Sequence, residues 1–147
     1  MSVNHAAPVV AEGEITIAAK PETVWDVMTD IEVWPTWNPD VKEATIQGSV
    51  AEGTQFRWKV SAGTINSTLT RVDPPRVLAW NGKGFGVKAI HVWLLEPRAG
   101  GTLVRTEESW EGLLSRILRG PFQKALKKSI DTGLGHLKAE AERRAPG

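Results

Sequence analysis

The sequence predicts an α+β domain in which a curved antiparallel sheet of about seven strands wraps around one long C-terminal helix. Three observations support this prediction. Apolar residues recur every three or four positions from Pro121 to Arg144, which is the spacing of one helix face. Six short β-like segments fill residues 41–110, with turn residues between them. The sheet they form is the only large element available to cover the apolar face of the last helix.

The elements before the six segments are short. Residues 1–11 are expected to form a flexible N-terminal tail rather than a signal peptide, because no basic residues precede their apolar ones. Alternation at Glu14–Ala18 predicts the first strand. Proline at a first helical position then predicts a helix over Pro21–Thr29. A second short helix or turn is expected to end near Asn38, the residue before a proline. We therefore expect one folded domain over residues 12–144.

The remaining strands follow one another with turn chemistry between them. Glycine, proline and aspartate separate the segments, so neighbouring strands are expected to pair antiparallel rather than through helical crossovers. The six predicted strands are Val41–Gln47, Thr54–Val60, Thr64–Val72, Val77–Asn81, Val87–Glu96 and Thr102–Trp110.

Alternation along the strands predicts which side chains face the interior. On the two longest strands we place the alternate set with His91 and Trp93 on the concave face, and the set with Thr106 and Glu108 faces the same way. Four of the seven tryptophans then lie on the inner face: Trp58, Trp80, Trp93 and Trp110. Large flat side chains can line a cavity or simply fill a core, and the pattern leaves both alternatives open.

Composition restricts the chemistry. With no cysteine in 147 residues, the chain has no disulfide, thiolate nucleophile or zinc–thiolate site, which fits the cytoplasm. Three scattered histidines do not form a recognisable metal site, so we expect neither a metal nor a cofactor. The sequence does not indicate an oligomeric state.

Charge is unevenly distributed. The net charge is +1, but from Leu113 onward eight basic residues face three acidic ones, a local charge of +5. We interpret the basic residues as the solvated face of a helix and expect no nucleic-acid partner. Transient contact with a membrane surface through the basic region remains an alternative, although no apolar run is long enough to span a bilayer.

Several short motifs, in this order and spacing, resemble the START-like or helix-grip superfamily, and within it the polyketide cyclase/dehydrase and lipid-transport family, also called SRPBCC. The resemblance extends from about Glu12 to Arg143. Its motifs are Val24-Trp25-Asp26-Val27-Met28-Thr29-Asp30, Trp34-Pro35-Thr36-Trp37-Asn38-Pro39, Gly53-Thr54, Val72-Asp73-Pro74-Pro75-Arg76, Gly101-Thr102, Glu108 with Trp110 and Gly112, and Leu137-Lys138-Ala139-Glu140.

The resemblance implies a helix-grip fold with a deep apolar cavity between the sheet and the C-terminal helix. The helix pair and the strand loops would form the mouth of this cavity. Members of the superfamily carry lipids, hormones or aromatic polyketides, and some cyclise or dehydrate polyketide chains. The implied partner is therefore a small hydrophobic ligand, but the fold does not imply one activity.

His91 and Glu108 form the strongest candidate for chemistry. If residues 96–102 close a hairpin, matching parity pairs Leu95 with Val104, Trp93 with Thr106, and His91 with Glu108. A carboxylate beside an imidazole could act as a general acid or base on a bound carbonyl compound. The same pair could instead hold two strands together or orient a ligand.

Three functions follow from these residues. The leading hypothesis is a non-catalytic binding or carrier protein for a small hydrophobic or aromatic ligand. The alternative is a cyclase or dehydratase in which His91 and Glu108 are catalytic, and the third is an interaction module using residues 116–128. The predicted ligand-binding residues are Phe56, Trp58, Asn66, Thr68, Trp80, His91, Trp93, Thr106, Glu108, Trp110, Leu126, Ile130, Gly133 and Leu134.

Overall fold

A computed structural model describes residues 2–146, and its single seven-stranded antiparallel sheet agrees with the predicted α+β helix-grip architecture. The strand order is β1-β7-β6-β5-β4-β3-β2, a meander to which the first strand is added beside the last. The strands are β1 (Val9–Ile17), β2 (Glu43–Ile46), β3 (Gln55–Val60), β4 (Gly63–Asp73), β5 (Val77–Gly84), β6 (Val87–Arg98) and β7 (Gly101–Glu111).

Four α-helices accompany the sheet in the described chain. α1 (Pro21–Thr29), a 3₁₀ turn (Ile31–Val33) and α2 (Trp34–Trp37) follow β1, while α3 (Leu113–Ile117) and α4 (Arg119–Arg144) follow β7. α4 begins two residues before the predicted start, and its apolar face is buried as its spacing predicts. No helix within residues 2–146 is long and apolar enough to cross a membrane.

The N-terminal segment packs on the outer face of the sheet. β1 begins at Val9, inside the segment that the sequence suggested would be a tail. Val3 is buried in a small outer cluster with Ala79 and Val92. The backbone N–H of Asn4 donates a hydrogen bond of 3.1 Å to Ser109 Oγ. This cover explains why β6 carries apolar residues on its outward-facing positions as well as its inward-facing ones.

Side chains of α4 satisfy the free edge of the sheet. β1 is an edge strand, so the backbone groups that point away from β7 need other partners. Gln123 meets both polar groups of Val10, accepting from its N–H at 3.2 Å and donating to its carbonyl at 2.6 Å. Three further contacts continue the pattern: Lys127 Nζ to Glu12 O, Lys138 Nζ to Thr16 O, and Ala18 N to Glu142 Oε2. These bonds anchor the helix to one edge of the sheet.

Gly13 allows α4 to approach β1 closely. A Cβ atom at this position would lie 2.9 Å from Cγ2 of Ile130 and 3.0 Å from Cδ1 of Leu134, closer than van der Waals contact. Any side chain at this position would therefore push the helix away from the strand.

An aromatic cluster fills the side of the interior nearest the helix pair. The ring of Trp34 lies 5.7 Å from Phe56, 5.6 Å from Trp58 and 5.6 Å from Trp80, measured between centroids. Its indole N–H donates to the carbonyl of Met28 at 3.1 Å. Each such aromatic pair adds roughly 0.5–1.5 kcal/mol beyond the area that it buries. The cluster occupies part of the space in which the resemblance implied a cavity.

Candidate ligand-binding groove

Five aromatic or titratable side chains on the concave face remain only half-buried. A side chain that faces a filled core is buried, as Phe56 and Trp80 are. Partial exposure of inward-facing residues therefore indicates an opening between the sheet and the helices, which we call the groove. Its half-buried residues are Trp58, His91, Trp93, Glu108 and Trp110.

A row of small residues crosses the concave face of the sheet. The strand register aligns Ala89, Gly82 and Ser67 across β6, β5 and β4, with Trp110 at one end of the row and Phe56 at the other. A Cβ atom at Gly82 would lie 3.2 Å from Cγ2 of Ile65 and 3.3 Å from Ser67 Oγ, so the row is closely packed at its centre. The sequence analysis did not identify these small residues, and the signal that could have found them is their register with the tryptophans.

Ser67 also fixes one wall of the groove. Its side chain is buried, and its Oγ accepts a hydrogen bond of 3.1 Å from the indole N–H of Trp58. The bond holds the Trp58 ring in one orientation while leaving its face partly exposed.

α4 leaves open space on its inner side at Gly133. This residue is half-buried and shares the helix face of Ile130 and Leu137, three and four residues away. A Cβ atom at Gly133 would meet no heavy atom within 4 Å, in contrast to the tight contact of Gly13. The helix therefore packs closely against β1 and loosely at Gly133, as expected if a small residue makes room for a ligand.

His91 and Glu108 lie side by side on the concave face, in the predicted register. Their neighbours in the register, Trp93 with Thr106 and Leu95 with Val104, are also as predicted. His91 Nδ1 lies 3.1 Å from Glu108 Oε1, and the two side chains are 13% and 16% exposed.

The pair belongs to a network in which every polar atom has a protein partner. His91 Nε2 lies 2.8 Å from Thr106 Oγ1, and the Thr106 hydroxyl donates to the carbonyl of Val92 at 3.0 Å. The other carboxylate oxygen, Glu108 Oε2, accepts from the indole N–H of Trp110 at 2.8 Å. Both nitrogens of His91 and both oxygens of Glu108 are therefore occupied.

The hydrogen bonds determine where the protons lie. The Thr106 hydroxyl uses its one proton to donate to the carbonyl of Val92, so it accepts a hydrogen bond from the N–H at His91 Nε2. His91 Nδ1 donates to Glu108 Oε1 only when this nitrogen is protonated as well, which is the imidazolium form. Burial lowers the pKa of His91 from its usual value, and the Glu108 carboxylate partly offsets that shift by favouring the imidazolium.

Two predicted site residues lie on the wrong side of the sheet. Asn66 is exposed on the outer face, where its Oδ1 accepts from Arg57 Nε at 3.4 Å, and Thr68 shares its parity. The structure therefore places these two predicted residues on the side of the sheet away from the groove. A β-bulge at Thr70 inserts one residue between Leu69 and Arg71, so the residues before it face the opposite way from an unbroken alternation through Val72.

The other predicted site residues all face the interior, but they divide into two groups. Thr106 is buried beneath the groove and orients His91. The residues with little exposed surface belong to the packed core rather than to the groove: Phe56, Trp80, Leu126, Ile130 and Leu134. Residues 2–146 contain no group of three or more side chains placed to hold a metal ion.

Solved structures share this fold at low sequence identity. A hypothetical protein, jhp0584 from Helicobacter pylori, superposes with a TM-score of 0.81 at 15% identity, covering 96% of both chains. A START superfamily protein from Mycobacterium smegmatis gives a TM-score of 0.77 at 19% identity, over 91% of this chain and 97% of the other. The di-domain ARO/CYC protein StfQ of the steffimycin biosynthetic pathway gives 0.78 at 16% identity, over 92% of this chain and 51% of its own.

Comparison of the sequence with known families identifies the family, whereas the solved structures show only the fold. No curated protein sequence matches the chain. The sequence pattern of the family described as polyketide cyclase / dehydrase and lipid transport, however, matches residues 8–142, which is nearly the whole chain. The chain belongs to the polyketide cyclase / dehydrase and lipid transport family.

Proposed function

We propose that the protein binds a small hydrophobic or aromatic ligand in the groove. The observation that supports this most directly is the half-burial of Trp58, Trp93 and Trp110 on a face that would otherwise be core. The open space at Gly133 supplies room on the helix side of the groove. Apolar walls with a few polar groups are typical of small-molecule sites.

The energetics favour a ligand larger than one ring. A group the size of an aromatic side chain buries about 150–250 Å², which contributes about 4–6 kcal/mol at roughly 25 cal/mol per Å². The loss of translational and rotational freedom on association costs a similar amount. A single-ring compound should therefore bind weakly, whereas a polycyclic or long-chain compound should bind well.

The polar network favours a role in orienting the ligand rather than in catalysis. A general base needs a free lone pair within reach of the substrate, and both nitrogens of His91 already have protein partners. A cyclase or dehydratase reaction at this pair would first have to break one of those bonds. A ligand hydroxyl can instead donate a hydrogen bond to a remaining lone pair of the Glu108 carboxylate, whose side chain is 16% exposed.

Native mass spectrometry and a fluorescence titration together test this proposal. The purified protein is first compared in native and denatured form for a retained apolar molecule. Tryptophan emission is then followed on titration with 1-N-phenylnaphthylamine, and saturable one-to-one binding is the expected result. No retained molecule, together with no response to this or larger polycyclic probes, would refute a groove that binds apolar ligands.

The variant His91→Gln separates binding from catalysis. If the pair only orients the ligand, the variant changes affinity modestly and no turnover is found in either protein. If the wild type converts a carbonyl substrate and the variant binds it without converting it, the catalytic alternative is correct.

A further inference from the structure

We propose that the short helix α3, together with the turn between β5 and β6, forms a docking surface for an anionic phospholipid membrane. The surface has an apolar part, which we call the apolar patch, and a set of exposed basic residues on α3 and the first turns of α4. The apolar patch consists of Phe85, Leu113, Leu114, Ile117 and Leu118, all of which are exposed.

α3 turns its apolar side chains toward solvent. Ser115 is buried, so it marks the side of the helix that faces the protein. Leu113 and Ile117 lie two residues away from it in either direction, which puts them on the opposite side of the helix. Their exposed fractions, 72% and 67%, agree with that geometry. Core packing therefore does not account for two large aliphatic residues at these positions.

The turn between β5 and β6 extends the patch. Phe85 and Gly86 connect the two strands as a two-residue turn with φ values of +57° and +71°. A bulky residue rarely adopts a positive φ, so Phe85 is an unfavourable choice for the turn itself. A Cβ at Gly86 would lie 3.5 Å from Cδ1 of Leu114, which places the turn directly beside α3. The turn therefore adjoins α3 through Gly86, while the exposed Phe85 ring lies against Gly63 at the start of β4.

Basic side chains without ion-pair partners lie on α3 and on the first turns of α4. Arg116, Arg119, Lys124 and Lys128 are exposed, and none of them takes part in an ion pair within residues 2–146. Other basic residues of the same region, Lys127, Lys138, Arg143 and Arg144, all have carboxylate partners there.

The positive charge beside the apolar patch favours an anionic membrane as the partner. Exposed aliphatic residues next to free cations are suited to a bilayer with anionic headgroups, because the cations meet phosphate while the aliphatic groups enter the interface. A second copy of the chain is less suitable, since a two-fold contact would place both sets of free cations against each other.

Docking would also orient the groove, a consequence that rests on the proposed function. α3 follows directly after β7, and Phe122 at the start of α4 lies 5.6 Å from the ring of Trp110 between centroids. The membrane would therefore face the end of the groove at Trp110. The docking itself does not depend on ligand binding and can be tested alone.

Vesicle co-sedimentation of the full chain tests the proposal. Vesicles of phosphatidylcholine with about one third phosphatidylglycerol are compared with vesicles of phosphatidylcholine alone. We expect binding to the anionic vesicles only, and we expect it to weaken as salt is raised from about 0.1 M to about 1 M, where the Debye length falls from about 10 Å to about 3 Å.

Two pairs of variants separate the apolar and basic contributions. Leu113→Ser with Ile117→Ser should weaken binding by about tenfold or more, because interfacial affinity scales with the apolar area inserted. Leu94→Ser is the matched control, since Leu94 is also exposed but lies on β6 outside the patch. Arg116→Ser with Lys124→Ser should weaken binding by a similar factor, with Lys42→Ser and Lys59→Ser as its control.

Three outcomes would overturn the proposal. The first is no binding to either kind of vesicle, and the second is binding that both patch variants leave unchanged. The third is a wild-type dimer in analytical ultracentrifugation that the Leu113 and Ile117 variant converts to a monomer, because the patch would then be covered by a second copy. Circular dichroism of each variant shows whether it is folded. If the Leu113 and Ile117 variant does not fold, the Arg116 and Lys124 variant still tests the proposal.

Discussion

Gly133 and Gly135 provide a matched pair for testing the groove. Both are in α4, and a Cβ at either position would meet no heavy atom within 4 Å. Gly133 is half-buried on the inner side of the helix, whereas Gly135 is exposed. Replacing each by leucine therefore makes the same change in helix propensity but puts the new side chain in different surroundings.

The expected effects on stability are equal, and the effects on binding are not. Glycine in a helix interior costs roughly 0.5–1 kcal/mol relative to a good helix former, so each substitution should raise the free energy of unfolding by about that amount. For a chain of this size, that corresponds to an increase of a few degrees in Tm, about 2–4 °C per kcal/mol. Leucine at position 133 occupies the groove, so ligand affinity should fall by about tenfold or more.

Urea unfolding and the 1-N-phenylnaphthylamine titration measure both quantities on the same samples. Gly135→Leu is expected to be stabilised and to bind the probe as the wild type does, and Gly133→Leu is expected to be stabilised but to bind poorly. A destabilised Gly133→Leu would show that the space beside the helix is not available. Unchanged binding by Gly133→Leu would show that the ligand lies elsewhere, and either result would refute the reasoning.

Three further predictions concern the network and the packing that hold the site. Hydrogen bonds from Arg143, opposed by burial and aided by Arg144, lower the pKa of Glu140 to about 2. Its contribution to stability is therefore present above pH about 4.5 and lost as the pH falls toward 2. Glu140→Gln should cost about 1–3 kcal/mol at pH 7 in urea unfolding, a range discounted for screening because the Arg143 side chain is 70% exposed. Burial lowers the pKa of His91, so the unfolded chain binds the extra proton first and stability should fall as the pH drops below about 6.5. His91→Gln should flatten that slope between pH 6.5 and 5, and an unchanged slope would contradict the assignment. Gln123→Leu leaves both backbone polar groups of Val10 without a partner, so it should cost about 1–3 kcal/mol and speed hydrogen exchange of the Val10 amide. If the Val10 amide exchanges at the same rate in the variant and in the wild type, water has replaced the side-chain amide of Gln123.

The closed network around His91 makes the distinction between binding and catalysis experimentally accessible. Thr106 and Trp110 hold the two ends of the His91–Glu108 pair, so the pair is rigid even without a ligand. Rigidity of this kind is useful for fixing the orientation of a bound molecule, because the ordering is already present before binding.

The sequence alone determined the meander of the six later strands and the central register of the site. A tight turn between two strands of known parity leaves one way to pair them, so the match of His91 with Glu108 followed from counting residues. The helix face of α4 followed in the same way from its three- and four-residue spacing. These features are local in sequence or connected by a short turn, which is why pattern reasoning reached them.

The tertiary structure decided what local patterns cannot encode. The bulge at Thr70 reversed the parity of β4 and put Asn66 and Thr68 outside, because one inserted residue changes every position before it. Whether the tryptophans filled the interior depended on where α4 sits, and its position is set by hydrogen bonds to the β1 edge more than a hundred residues away in sequence. Trp34 fills one side of the interior while the groove remains open at Trp110, since a helix held at one edge of a curved sheet cannot cover the whole of it.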